Sequence, residues 1–143
     1  MQIDPALQTK IGALVNQPWA RDGRHCWKLC REVVGLLGVE LPPVIDMAPP
    51  GKEGRLIKAQ LFNDHPERAK WVTVERPETW AVALMHRTFR HPDMIEHSGV
   101  YFAIDGGRVL HTSDPHGVVW DSLPELLMRN WRPVFVVPRG APA

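Results

Sequence analysis

The fold class is decided by residues 98–112, which read Ser98-Gly-Val-Tyr-Phe-Ala-Ile-Asp-Gly-Gly-Arg-Val-Leu-His-Thr112. Two β-rich runs flank the turn signal Asp105-Gly106-Gly107, so this stretch predicts an antiparallel hairpin. Similar runs follow or precede it, which predicts a meander of five short strands. The three outer runs are residues 80–85, 118–120 and 134–137.

The chain before the hairpin has helical spacing instead. Apolar residues at steps of three and four predict helices from about residue 5 to 15 and from Cys26 to Leu37, the second closed by Gly38. Prolines and glycines predict a surface loop at 42–54, followed by one or two short helices at 55–71 with Trp71 packed inward. A further short helix is predicted at 123–129. Helices first and antiparallel strands after predict an α+β fold.

The length and net charge of the chain limit the kinds of partner that the protein is expected to have. The 143 residues suit a single domain, 1–143, and 17 basic against 16 acidic residues leave a net charge of +1. Such a balance argues against nucleic-acid partners and against an anionic membrane surface. No run approaches the ~20 apolar residues of a membrane-spanning helix. The N-terminus lacks the pattern of a signal peptide, so we expect synthesis and retention in the cytoplasm.

Cys26 is the most informative residue because it falls in the first turn of a predicted helix. The helix dipole and the free N–H groups there stabilise negative charge, which favours a nucleophilic thiolate. The same N–H groups can face the oxyanion formed when a carbonyl is attacked. The alternative is that Cys26 is a small buried packing residue, as we expect for Cys30.

A catalytic cysteine needs a base within hydrogen-bond reach and a third group that orients the base. The two candidates are His97, which opens the first hairpin strand, and His111, which ends the second. With a three-residue turn, Tyr101 would pair with His111, leaving the two histidines four residues apart, roughly 13 Å. We therefore predict an irregularity in the hairpin, or a register centred on Ile104, that brings them together.

The chain also resembles a known family. Pro18-Trp19, Asp22-Gly23 and the segment from His25-Cys26-Trp27 to Leu41-Pro42 resemble the nucleophile region of the NlpC-type cell-wall cysteine peptidases, most closely the branch found in phage tail proteins. His97-Ser-Gly-Val-Tyr-Phe102 and Val109-Leu-His-Thr112 are similar to that family's histidine strand and the strand after it. The likeness covers about residues 16 to 137. One departure is His25, where the family usually has Asp.

The resemblance implies a compact papain-like fold with Cys26 as nucleophile, His97 as general base and acid, and His111 as the group that orients His97. It implies hydrolysis of amide bonds in peptidoglycan stem peptides through a thioester, with no metal and no cofactor. Trp19 and Trp27 are candidates for lining the substrate cleft. Without a signal peptide, delivery to a cell wall would require incorporation in a phage tail, so tail proteins are candidate partners.

Three alternatives stay open at this point. A binding or assembly module of a phage tail could keep the fold without turnover. An acyltransferase would use the same three residues and differ only in what resolves the thioester. A metal site could be built from His25, Cys26, Cys30 and one distant histidine, although no Cys-x-x-Cys pair is present.

Overall fold

The computed structural model describes residues 4–20, 23–42, 51–113 and 115–139. These residues form an α+β fold in which helices pack on one open antiparallel sheet, as the sequence predicts. The elements are α1 (Pro5–Gly12), α2 (Cys26–Gly35), α3 (Gly51–Asp64), a 3-10 helix (Pro66–Lys70), β1 (Trp71–Val74), β2 (Val82–Arg87), β3 (Ile95–Phe102), β4 (Arg108–Ser113), β5 (Gly117–Ser122), α4 (Leu123–Met128) and β6 (Trp131–Pro138).

The sheet has six strands in the order β1-β6-β2-β3-β4-β5, and every neighbouring pair is antiparallel. The prediction of five strands is therefore wrong. The missed strand is β1, which begins at Trp71, where helical structure was expected. Trp-Val-Thr-Val has high strand propensity, but its only partner is β6, more than sixty residues later, and local patterns do not report such pairing.

Apolar side chains cover both faces of the sheet. On one face, Leu29 and Val33 of α2 pack with Val100 and Leu110 of the hairpin strands. The opposite face is covered by α4, whose Leu126 belongs to a second cluster. The strand residues of that cluster include Met85, Val109, Trp131 and Phe135. Residues that alternate along β3 and β4 therefore point to different layers.

Two of the predicted segment limits are also corrected. The first helix, α1, ends at Gly12 rather than near residue 15, although Asp4 caps its start by accepting a hydrogen bond from the Leu7 N–H. Helix α3 begins at Gly51, inside the predicted loop, while residues 43–50 of that loop lie outside the described residues.

The chain that leads into α2 is tied to the edge of the sheet. Asn16 donates its N–H to the carbonyl of Val118, and Val118 donates its N–H to the carbonyl of Gln17. Gly117 permits this approach, since its φ is +71° and a Cβ atom there would lie 2.5 Å from the Gln17 oxygen. Residues 16 and 17 are thus anchored to β5. None of the helices in the described ranges is long and apolar enough to cross a membrane.

Candidate active site

The β3–β4 hairpin brings His97 and His111 into contact. Its ladder pairs Val100 with Leu110 and Tyr101 with Val109, so the Tyr101–His111 pairing that a three-residue turn would give does not form. The turn spans residues 103–107 because Asp105 and the two following glycines take positive φ before β4 begins. The shift leaves His97 Nε2 2.8 Å from His111 Nδ1.

The predicted irregularity lies in a different ladder. The register between β2 and β3 shifts so that Met85 pairs with His97 but His86 pairs with Ile95, which leaves Glu96 as the extra residue of a bulge. The β3–β4 ladder itself is regular over its three pairs, and its register is centred on Asp105 rather than on Ile104. The two histidines meet diagonally across that ladder.

Gly99 lies at the closest approach of β3 to β4. A Cβ atom at this position would lie 2.6 Å from Val109 Cγ1, 2.8 Å from the Leu110 carbonyl oxygen and 3.0 Å from His111 Cβ. No side chain fits there without moving β4. The absence of a side chain at Gly99 is therefore part of what sets the distance between the two histidines.

A third group, Asp121 on β5, contacts the histidine pair through His111. His111 Nε2 lies 2.6 Å from Asp121 Oδ2, and all three side chains are buried, with exposed fractions of 4, 0 and 1% for His97, His111 and Asp121. Arg129 Nε, at the end of α4, lies 2.8 Å from the same carboxylate oxygen. We call His97, His111 and Asp121 the relay.

Sequence reasoning missed Asp121 and Arg129. Asp121 follows the apolar run Val118-Val119-Trp120, and a polar residue directly after such a run is usually interpreted as the end of a strand. Strand alternation places Asp121 on the inward face once its pairing with Val109 is known, because Val109 points into the layer beneath α4. An acidic residue at an inward strand position requires a buried partner, and His111 supplies it.

Hydrogen-bond chemistry fixes the protons of the relay when both imidazoles are neutral. The ionised Asp121 carboxylate can only accept a hydrogen bond. His111 Nε2 is therefore protonated and donates the hydrogen bond between these two side chains. His111 Nδ1 is then an acceptor, and His97 Nε2–H donates to it. The basic lone pair of His97 is left on Nδ1, which has no hydrogen-bond partner among the described residues.

The surroundings stabilise this charge pattern. Burial lowers the pKa of His97 well below its ordinary value, and it is lowered further by the charge that His111 carries when protonated and by the charges of Lys58 and Arg87. Burial raises the pKa of Asp121, but its hydrogen bonds and charge interactions with His111 and Arg129 outweigh that effect, so the pKa is lower than normal. At neutral pH, His97 is a neutral base and Asp121 is a carboxylate.

Cys26 is the first residue of α2, as the sequence predicts, and two contacts fix its position. His25 is the N-cap, whose Nδ1 accepts from the Lys28 N–H at 3.4 Å. Arg24 forms a bidentate ion pair with Glu32, at 2.8 and 2.9 Å, which fastens the loop before Cys26 to the helix. The Cys26 side chain is a free thiol with an exposed fraction of 6%.

Helix α2 packs against β3, but no hydrogen bond among the described residues joins Cys26 to the relay. One turn after Cys26, the Cys30 thiol lies beside the hydroxyl of Ser98, the residue that follows His97. Burial raises the pKa of the Cys30 thiol more than Ser98 lowers it, so Cys30 is an uncharged packing residue. Cys26 and His97 make no hydrogen bond with each other in this conformation.

The two tryptophan candidates occupy different environments. Trp27 is 6% exposed, donates its indole N–H to the Pro42 carbonyl at 2.6 Å and meets Phe62 edge-on. These are the contacts of a core residue, although Trp27 also lines a pocket with Pro42 and Phe62, so its role in substrate binding stays a prediction. Trp19 is half-buried, and its role in substrate binding stays a prediction.

Within the described part of the chain, no three His, Cys, Asp or Glu side chains are arranged to hold a metal ion. His25 caps a helix and Cys30 packs in the core, which accounts for two of the four residues of the metal alternative.

Comparisons with protein-family models, with curated proteins and with solved structures found no match.

Proposed function

We propose that the protein is a cysteine peptidase or amidase with a papain-like fold of the NlpC type, which hydrolyses peptidoglycan stem peptides. The observation that carries the proposal is the buried relay, which leaves the basic nitrogen of His97 without a hydrogen-bond partner among the described residues. Cys26 begins α2 and is the proposed nucleophile. The cell-wall substrate and the phage-tail setting rest on the sequence resemblance alone.

The neutral His97 of the relay favours a mechanism in which it acts as a general base over one that starts from a preformed ion pair between Cys26 and His97. Because burial disfavours the imidazolium form of His97, this base is neutral in the resting state. Attack requires the Cys26 Sγ–H to come within hydrogen-bond reach of His97 Nδ1, a contact that is absent from the described conformation and must form when substrate binds. The proton moves to Nδ1 as the sulfur attacks the amide carbon.

The remaining steps use the same groups. The oxyanion of the tetrahedral intermediate faces the backbone N–H groups of the first turn of α2. Its collapse breaks the C–N bond, and the leaving amine takes the proton from His97 Nδ1. Water then gives a proton to His97 and attacks the thioester, which releases a carboxylic acid and restores the Cys26 thiol. Asp121, through His111, stabilises the positive charge that His97 carries between these steps.

The decisive experiment is digestion of purified sacculi by the wild type and by Cys26→Ala, with mass spectrometry of the soluble products. We expect new amine and carboxyl termini with the wild type only. Cys30→Ala is the matched control, and it should retain activity because Cys30 is a packing residue.

Alkylation by iodoacetamide separates this proposal from its main alternative. If His97 acts as the base, labelling of Cys26 should slow in His97→Gln. Labelling that is unchanged by His97→Gln, together with no Cys26-dependent product from sacculi, would favour a binding or assembly module. Labelling confined to Cys30 would remove Cys26 as the nucleophile.

A further inference from the structure

The relay is part of a closed ring of contacts that includes three residues with no role in the proposed chemistry. Arg129 contacts Asp121, and Trp131 stacks on His97 with ring centroids 4.5 Å apart and planes at 24°. Arg87 joins these two residues. The ring runs through His97, His111, Asp121, Arg129, Arg87 and Trp131, and back to His97.

Arg87 closes the ring with two parts of one guanidinium group. Its Nη1 donates to the backbone carbonyl of Arg129 at 2.9 Å, and its Cζ lies 3.7 Å from the centroid of the Trp131 ring. The Trp131 indole is therefore held between Arg87 and the His97 imidazole. Register supports the arrangement, because Arg87 and Trp131 are directly opposed on β2 and β6.

We propose that Arg87 is a positioning residue for the relay, acting on both of its ends. At one end it fixes the indole on which His97 stacks, and at the other it fixes the backbone of the residue that holds Asp121. Only the catalytic consequence of this inference rests on the proposed peptidase function. The effect on the geometry and protonation of His97 and His111 stands without it.

The planar shape of arginine explains why this position needs it. A guanidinium can lie flat on an indole while an edge N–H donates to a carbonyl, whereas an ammonium is a compact point charge without a planar face. Arg129 cannot substitute, because its own guanidinium is engaged with Asp121. A lysine at position 87 would keep the charge and lose the two-point contact.

The test compares Arg87→Met and Arg87→Lys with the wild type and with Arg132→Met, an exposed arginine next to Trp131. The first readout is the 15N spectrum of the histidine side chains, which reports the tautomers without any substrate. We expect the wild type and Arg132→Met to show single tautomers for His97 and His111. Both Arg87 variants should show mixed or exchanging forms.

The second readout is kcat and KM for sacculus peptides. Loss of positioning should lower kcat about tenfold or more and leave KM nearly unchanged, since small displacements of a reacting group are costly. Unchanged tautomers in a folded Arg87→Met protein would overturn the inference. Full recovery in Arg87→Lys would overturn the geometric role and assign a charge effect instead. If Arg87→Met does not fold, Arg87→Gln carries the same test.

If neither the wild type nor any variant cleaves sacculus peptides, the peptidase proposal fails. The tautomer spectra still decide whether Arg87 positions the relay. The two failures are therefore distinguishable.

Discussion

Replacement of Gly99 by alanine tests how the sheet sets the distance between the two histidines. The new methyl group would lie 2.6 Å from Val109 Cγ1 and 2.8 Å from the carbonyl oxygen of Leu110, both in β4. Carbon atoms normally approach no closer than about 3.5 Å, so the strands must separate by roughly 1 Å. The backbone oxygen of Leu110 cannot rotate away as a flexible side chain could.

Gly99→Ala is expected to lower the free energy of unfolding and to lengthen the contact between the two histidines. Overpacking of this kind costs about 1–3 kcal/mol of unfolding free energy. A separation of roughly 1 Å also takes the His97–His111 contact from 2.8 Å beyond the distance at which a hydrogen bond survives. We therefore expect Gly99→Ala to be folded but destabilised, with the bond between the imidazoles broken.

Urea unfolding measures the first effect, and the 1H signal of the hydrogen-bonded imidazole proton measures the second. The control is Gly106→Ala in the same hairpin, where nothing lies within 4 Å but φ is +81°. Left-handed backbone should cost that variant about 1–2 kcal/mol and leave the imidazole signal intact. A Gly99→Ala protein with wild-type stability and an intact imidazole signal would refute the close-approach explanation.

Three further predictions concern the relay and its support. Because the unfolded chain binds a proton at His97 more readily than the folded one, unfolding free energy should fall by at most about 1.4 kcal/mol per pH unit below about pH 6.5, and His97→Gln should lose this slope in urea titrations. Asp121→Asn should lower kcat about a hundredfold or more in sacculus digestion, since an amide can donate to His111 and reverse its tautomer. Ser122→Ala removes the capping box with Glu125 at α4 and should cost about 1 kcal/mol in thermal unfolding, with kcat unchanged.

Local patterns in the sequence predicted the parts of this fold that depend on neighbouring residues. The helix beginning at Cys26, the hairpin around Asp105 and the short helix after Ser122 each follow from apolar spacing and from capping or turn residues within one segment. The α+β class follows from their order. The proposed catalytic residues His97 and His111 were also identified from sequence, and their contact is present in the structure.

The remaining features depend on pairings between distant residues. Strand β1 exists because of β6, and the hairpin register is centred on Asp105 rather than on Ile104, with a turn that begins at residue 103. The buried Asp121 forms an ion pair with the half-buried Arg129, and in sequence the two are indistinguishable from two polar residues around a short helix. Alternation assigns Asp121 to the inward face only once its register with β4 is known.

The anchoring of residues 16 and 17 to β5 also bears on how molecules of this protein meet. A strand at the edge of a sheet is a template for a strand from another chain, which is a common origin of aggregation. At Val118 that template is already occupied by the protein's own chain. A side chain at Gly117 would displace this segment and uncover the edge, so we expect Gly117→Val to aggregate in proportion to protein concentration. The missing side chain of Gly117 is thus what allows residues 16 and 17 to cover this edge.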